Sequence, residues 1–237
     1  MAFSEEVRAR LDADADQLIA RYPKARSALL PLLHLVQAEE GHVSTDGVEY
    51  CAAKLGLTET DVTGVLSYYT MYKRQPAGEY HVGVCTNTLC AIMGGDQIYA
   101  ALREHLGTRG AEPTPDGKVS LEHVECNAAC DYAPVVMVNW EFFDNMTPDR
   151  ARALVDDLRA GREVTPPRGP QRLCTWREAA RVLAGFPDGL AGEGPQAGPA
   201  TLAGLEIAKE HGWTAPPAPA DSAASGSPSA PPSGGKA

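Results

Sequence analysis

The stretch Glu79-Tyr80-His81-Val82-Gly83-Val84-Cys85-Thr86-Asn87-Thr88-Leu89-Cys90 decides how the rest of the chain reads. Its first six residues alternate like a half-buried strand and run straight into Cys85. A helical stretch from about Cys90 to Leu106 follows, then turn material from Pro113 to Gly117. A second strand, Val119 to Glu125, ends on Cys126 and opens a second close pair, Cys126-Asn127-Ala128-Ala129-Cys130. Each pair begins where a strand ends, so each sits on a loop at the same edge of a sheet. The 35 residues between Cys90 and Cys126 leave room for a helix and a returning strand, and that return brings the two loops together. Pro134 to Asn139 reads as a buried strand and Glu141 to Asp144 as a short one beside it. Thr147-Pro148 is an N-cap followed by proline at the first helical position, opening a helix that ends at Gly161.

Upstream the chain reads as helices. Ser4 can cap a helix whose Leu11, Ala15, Leu18, Ile19 and Tyr22 share one face, closed by Pro23. A second helix runs from about Arg26 to Glu40, kinked or effectively started by Pro31, with Gly41 as a left-handed cap. Thr45 opens a third that stops at Gly56. Thr58 and Asp61 have capping-box spacing and open a fourth toward Tyr68. The expected fold class is therefore α/β (α+β): an N-terminal helical bundle over residues 1–75, then a β-α-β-β-β-α domain over 76–165, then a C-terminal tail over 166–237. Within the tail, Trp176 to Gly185 and Leu202 to His211 can form short helices. Residues 214–237 hold six Pro, five Ser, seven Ala and three Gly, a composition that buries too little apolar surface to offset its ordering entropy and is expected to be disordered.

Composition removes several function classes. With 21 Lys and Arg against 31 Asp and Glu, no basic stripe suited to nucleic acid stands out. The longest apolar run, Ala28 to Val36, contains Pro31 and His34 and falls short of a membrane span. The N-terminus lacks the basic-then-apolar layout of a secretory signal, so a cytoplasmic location, soluble or peripheral, is expected. Six cysteines in 237 residues are too sparse for a disulfide scaffold.

Four of those cysteines, Cys85, Cys90, Cys126 and Cys130, form the two pairs, and four converging thiolates suit a soft metal site. Zinc hooks more often repeat Cys-x2-Cys, whereas the Cys-x4-Cys and Cys-x3-Cys loops here are wider. Wider loops can wrap a larger object and turn backbone N–H groups toward bridging sulfides. A [2Fe–2S] cluster takes four protein ligands, which matches the count, although the plant-type ferredoxin spacing is absent. No Cys-x-x-Cys is present to suggest a redox disulfide. Spacing favours iron–sulfur and leaves zinc and plain structural or redox thiols open.

The motif Cys85-Thr86-Asn87-Thr88-Leu89-Cys90, with Glu125-Cys126-Asn127-Ala128-Ala129-Cys130-Asp131 and Ala133-Pro134, resembles the thioredoxin-like [2Fe–2S] ferredoxins. More closely, it resembles the E-type subunit family of NADH-quinone oxidoreductase, respiratory complex I. Tyr22-Pro23-Lys24-Ala25-Arg26-Ser27-Ala28-Leu29-Leu30-Pro31, Gln37-Ala38-Glu39-Glu40-Gly41 and Ser67-Tyr68-Tyr69-Thr70-Met71-Tyr72 extend the likeness over about residues 15–165, with tyrosine at positions where members carry phenylalanine. The resemblance implies a thioredoxin-like domain after the helical bundle, with Pro134 leading into a central strand and a cis bond allowed before it. It implies one [2Fe–2S] cluster, Cys85 and Cys90 holding one iron and Cys126 and Cys130 the other. It implies a flavin-bearing partner that carries FMN and binds NADH, other peripheral-arm subunits, and a peripheral position on the cytoplasmic side of the cell membrane. This chain would then be one part of a translocating oxidoreductase, with no catalytic residue and no complete active site of its own. The absence of Gly-x-Gly-x-x-Gly and of a phosphate loop agrees with hydride chemistry taking place on the partner. The alternatives are the equivalent diaphorase subunit of an NAD-dependent hydrogenase or formate dehydrogenase, and a structural zinc scaffold protein.

Other residues invite plainer readings. Cys51 reads as a small buried hydrophobe and Cys174 as a spare thiol. Gly94-Gly95 suits either close approach to the cluster or a partner, or simple packing. His81 and His123 fall on strands leading to the cysteine loops, yet ordinary core or solvated histidines are favoured. Asp12, Asp14 and Asp16 read as a solvated face, and Tyr68, Tyr69 and Tyr72 as core or interface packing. Residues 170–213 are expected to run over a neighbouring subunit.

Overall fold

The structure, a computed structural model, describes residues 3–216. The Ser4 hydroxyl accepts the Val7 N–H and starts α1 (Glu5–Ile19), whose Leu11, Ala15 and Leu18 are buried. The expected second helix begins as a 3-10 turn over Ala25–Ala28 and becomes α-helical only in α2 (Leu29–Glu40). Pro31 lies in the first turn of α2, where a backbone N–H has no intrahelical partner to lose, so it marks a start and not a kink. Gly41, at φ 79°, closes α2 in the left-handed conformation. Ser44 caps α3 (Thr45–Leu55), and Thr58 and Asp61 form the capping box that opens α4 (Glu59–Tyr68). These helices share a core that includes Leu11, Leu32, Leu33, Val36, Cys51 and Val62.

The mixed domain runs β1 (Tyr80–Cys85), α5 (Thr88–Ile92), α6 (Gly95–Leu106), β2 (Val119–Val124), β3 (Val136–Val138), β4 (Glu141–Phe143) and α7 (Pro148–Arg159). The sheet order is β2-β1-β3-β4. β1 and β2 are parallel, while β3 is antiparallel to both β1 and β4. Helices α6 and α7 cover Val82, Val84, Leu121 and Val136 with Ile98, Leu102, Val155 and Leu158. The single helix read from Cys90 to Leu106 is broken in two, because Gly94 adopts φ 112°. The Ala133–Pro134 bond is cis.

The short helix read over Trp176 to Gly185 forms. Residues up to Ala197 belong to the same compact unit as the rest. Thr175 and Glu178 form a capping box for α8 (Trp176–Leu183), which packs on α2. Trp176 is buried and its indole N–H donates to the Gly41 carbonyl at 2.8 Å. Arg181 pairs with Asp14 at 2.8 Å, Asp12 accepts from Tyr50 and Lys54, and Asp16 pairs with Lys54 at 2.9 Å, so all three acids read as a solvated face tie α1 to α8 or to α3. Within this chain, the apolar face of α8 packs on α2.

A second unit begins at Gly198. It holds α9 (Pro199–Glu210), started by proline at the first position, with no buried residue and with Leu202, Leu205, Ile207 and Trp213 exposed. The reading of residues 214–237 falls, from 217 onward, outside the described residues. Among the described residues, no helix is long and apolar enough to cross a membrane.

Candidate metal centre

Because β1 and β2 run parallel and end level, with Cys85 opposite Val124, the chain leaves both strands over the same sheet edge. The two loops meet there around a small pocket lined by Cys85, Cys90, Cys126 and Cys130, with Asn127, Ala129 and Val135 completing the wall. All four cysteines singled out in the sequence are therefore together. Cys51 lies in the helical core and Cys174 is buried apart from the pocket.

The two pairs are held differently. Cys85 and Cys90 are 4% and 3% exposed, whereas Cys126 and Cys130 are exposed, with their Sγ atoms 3.7 Å apart. The Cys85 N–H donates to the Val135 carbonyl at 3.1 Å, fixing the end of β1 against the segment after the cis-proline. Gly95 lets the first turn of α6 press on the first loop: a Cβ there would stand 2.4 Å from the Cys85 oxygen and 2.9 Å from the Cys90 oxygen. The close approach allowed by the glycine pair is thus to backbone, a packing role. In the second loop Ala128 takes φ 57°, which turns its N–H onto Cys126 Sγ at 3.4 Å. The Asn87 side chain donates to Glu125 at 2.9 Å and links the two loops directly.

Electrostatics show what such a site accepts. Burial pushes the Cys85 thiol up to about 11, with the neighbouring Cys90 and Cys126 sulfurs adding to the rise and the Asn87 N–H opposing it. Cys130 is raised mainly by its contact with Cys126. The Cys90 and Cys126 sulfurs make Cys85 harder to ionise and Cys126 does the same to Cys130, so positive charge held between the loops would favour the thiolate forms of both. Among the described residues no group of His, Cys, Asp and Glu side chains closes around a single ion-sized point. The thiols line the pocket on two separate loops, and soft sulfur donors flanked by backbone N–H groups fit an iron–sulfur cluster.

The histidines on the strands do other work. His81 packs in a cluster with the rings of Trp140 and Trp176, at 5.4 and 5.1 Å, with Nε2 2.8 Å from Glu122. Burial lowers its pKa although Glu122 pulls the other way. Glu122, which also binds Lys73, is held at about 2: burial would raise it, and the His81 and Lys73 contacts overcome that. His123 is exposed, edge-on to Tyr99 at 5.9 Å. Neither histidine lines the thiol pocket. Sequence reading did not find the Asn87–Glu125 link or the left-handed Ala128, since the first joins residues 38 apart and alanine carries no turn signal.

Comparison with known proteins agrees with this chemistry. Residues 15–159 match the family model of the thioredoxin-like [2Fe–2S] ferredoxins. The NADH-quinone oxidoreductase E-type subunit of Mycobacterium tuberculosis is 57% identical over 220 residues, covering 92% of this chain and 86% of that protein. NADH-quinone oxidoreductase subunit 2 of Thermus thermophilus is 40% identical over 152 residues, 63% of this chain and 84% of that protein. In a crystal structure of an NAD+-reducing [NiFe]-hydrogenase in the air-oxidised state, 23% of one chain superposes on 56% of this chain with a TM-score of 0.50 at 16% identity, a likeness of fold. The chain belongs to the thioredoxin-like [2Fe–2S] ferredoxin family and, within it, to the E-type subunits of NADH-quinone oxidoreductase.

Proposed function

We propose that this chain is the [2Fe–2S] electron-transfer subunit of the NADH-oxidising module of an NADH-quinone oxidoreductase, a translocating complex. Cys85 and Cys90 would hold one iron, and Cys126 and Cys130 the other. The observation that carries this reading is a pocket in which four thiols from two strand-end loops meet, in a chain with 57% identity to an NADH-quinone oxidoreductase subunit. When bound, the cluster supplies reversible one-electron transfer, which suits exchange with FMN on a flavin-bearing partner that takes hydride from NADH.

The chain's own residues hold and tune that group. The N–H groups of Asn87 and Ala128 are directed at the sulfurs of Cys85 and Cys126, where they favour added negative charge. The buried pair keeps water from one side, while Cys126 and Cys130 face outward. Beside Cys90, α5 exposes Leu89 and Ile92 and its C-terminal cap exposes Met93, an apolar apron on which a redox partner can sit against the thiol pocket. The module would lie on the cytoplasmic side, peripheral to the membrane.

The test is reduction by NADH in two settings. In the complex purified through a tag on this chain, NADH should reduce the cluster. In the isolated full chain, dithionite should reduce it and NADH should not. Direct reduction of the isolated chain by NADH, or FMN bound to it stoichiometrically, would overturn the division of labour. The hydrogenase-type reading shares the fold at 16% identity. It gains support only if a hydrogenase or molybdenum subunit co-purifies in place of quinone-reducing membrane subunits.

A further inference from the structure

The second cysteine loop is the exposed one, and its brace comes from outside the sheet. Arg168, in the segment after α7, makes a two-pronged contact with Asp144 at the end of β4, with Nε–Oδ2 2.9 Å and Nη2–Oδ1 3.0 Å. Both side chains are largely buried, 16% and 11% exposed. The guanidinium carbon lies 4.2 Å from the Phe142 ring centre and 5.6 Å from that of Tyr132. Tyr132 is two residues past Cys130, in the same 3-10 turn. Phe142 packs against the cluster formed by Cys85, Cys90, Ala129, Ala133 and Val135. The neighbouring Asn145 N–H binds the Tyr132 carbonyl at 2.8 Å, so the end of β4 and the second loop are joined at the point where Arg168 stacks.

We infer that Arg168 is a positioning residue for the metal centre: fixed by Asp144, its guanidinium clamps Tyr132 and Phe142, and through them sets where Cys130 stands relative to the buried pair. This rests on the reading of the four cysteines as cluster ligands. The planar fork suits the role, since it satisfies a carboxylate along its edge while its faces stay free to stack. A planar cation within reach of two rings and largely out of water is also where such stacking is strongest. Lysine keeps the charge and loses both the fork and the flat face.

The test uses the full chain loaded with cluster, comparing wild type with Arg168→Met, Arg168→Lys and Arg159→Met. Arg159 pairs with Asp116 at 2.7 Å, near the start of β2 at the far edge of the sheet, and serves as the control for loss of an ordinary ion pair. Two readouts are followed: the EPR line shape of the reduced cluster, and the rate at which an iron chelator bleaches its visible absorption. The expected result is roughly tenfold faster bleaching and an altered line shape in Arg168→Met, as supporting residues of metal sites commonly show. Arg168→Lys should fall between it and wild type, and Arg159→Met should behave as wild type. Should Arg168→Met fail to fold, Arg168→Lys decides alone, faster bleaching supporting the role and a wild-type rate overturning it. Wild-type bleaching and line shape in Arg168→Met, or equal acceleration in Arg159→Met, also overturns it. A wild-type chain that takes up no iron and sulfide would overturn the ligand reading itself, which separates the two failures.

Discussion

Cys85 and Val124 stand opposite each other at the ends of the parallel strands β1 and β2. That register makes Cys126, two residues beyond Val124, a neighbour of Cys85 across the sheet edge, and the pocket that all four thiols share follows from it. Helix α5 and the α6 start at Gly95 then bury the first pair, while the second pair stays exposed.

Thiol reactivity should follow that asymmetry. In the metal-free chain an alkylating reagent should modify the exposed Cys126 and Cys130 first and the buried Cys85 and Cys90 later. Cys174, buried with its thiol raised to about 11 as for Cys85, should react as slowly as the buried pair, and Cys51, fully buried with its thiol raised to about 12, only on unfolding. Loading the cluster should protect the four pocket cysteines and change nothing at the other two. Mass spectrometry of labelled peptides reads this out, and continued labelling of Cys126 in the loaded chain would contradict it.

Two glycines should respond oppositely to alanine. Gly95→Ala forces a methyl against the backbone of the first loop and should cost about 1–3 kcal/mol, with lower cluster content. Gly64→Ala, in α4 with open space around its Cβ position, should stabilise by about 0.5–1 kcal/mol. Denaturant midpoints of the two variants check both signs.

Trp176 makes part of the C-terminal segment structural. Trp176→Ala removes a buried indole and its bond to Gly41 and should cost about 3–5 kcal/mol. Truncation after Gly169 should destabilise the helical core as well, because α8 packs on α2. Thermal melts compare these variants with wild type, and an unchanged melting temperature on truncation would contradict the packing.

His34 should make the helical core acid-sensitive. Burial lowers its pKa from 6.5 to about 4, and its Nδ1 has no hydrogen-bond partner. A depressed pKa means that the unfolded chain takes up the proton first, so stability is full above about pH 6.5 and falls as the pH drops toward 4. The loss is on the order of 3 kcal/mol. Lowered His81 acts in the same direction, so His34→Leu should flatten the pH dependence of the melting temperature over this window without abolishing it. Parallel curves for the two proteins would contradict the assignment.

Local signals were the legible part of this fold. Ser4, Thr58 with Asp61, and Thr147 before Pro148 set helix starts where side chains meet backbone three residues on, and all of them form as read. The strand-then-cysteine repeat placed both pairs on one edge because a crossover leaves little other choice. The break at Gly94, the burial of Trp176 under Gly41 and the Arg168–Asp144 clamp were not legible. Each depends on a contact between distant residues or on a glycine taking one of two allowed conformations, and neither leaves a periodic trace.

The most direct test of the central claim is low-temperature EPR on the dithionite-reduced, anaerobically purified full chain, with metal and sulfide analysis of the same sample. The account requires iron and acid-labile sulfide in the proportions of one [2Fe–2S] cluster, and an S = 1/2 signal integrating to about one spin per chain. Stoichiometric zinc in a colourless protein with no signal would contradict it and leave the four cysteines as a structural metal site.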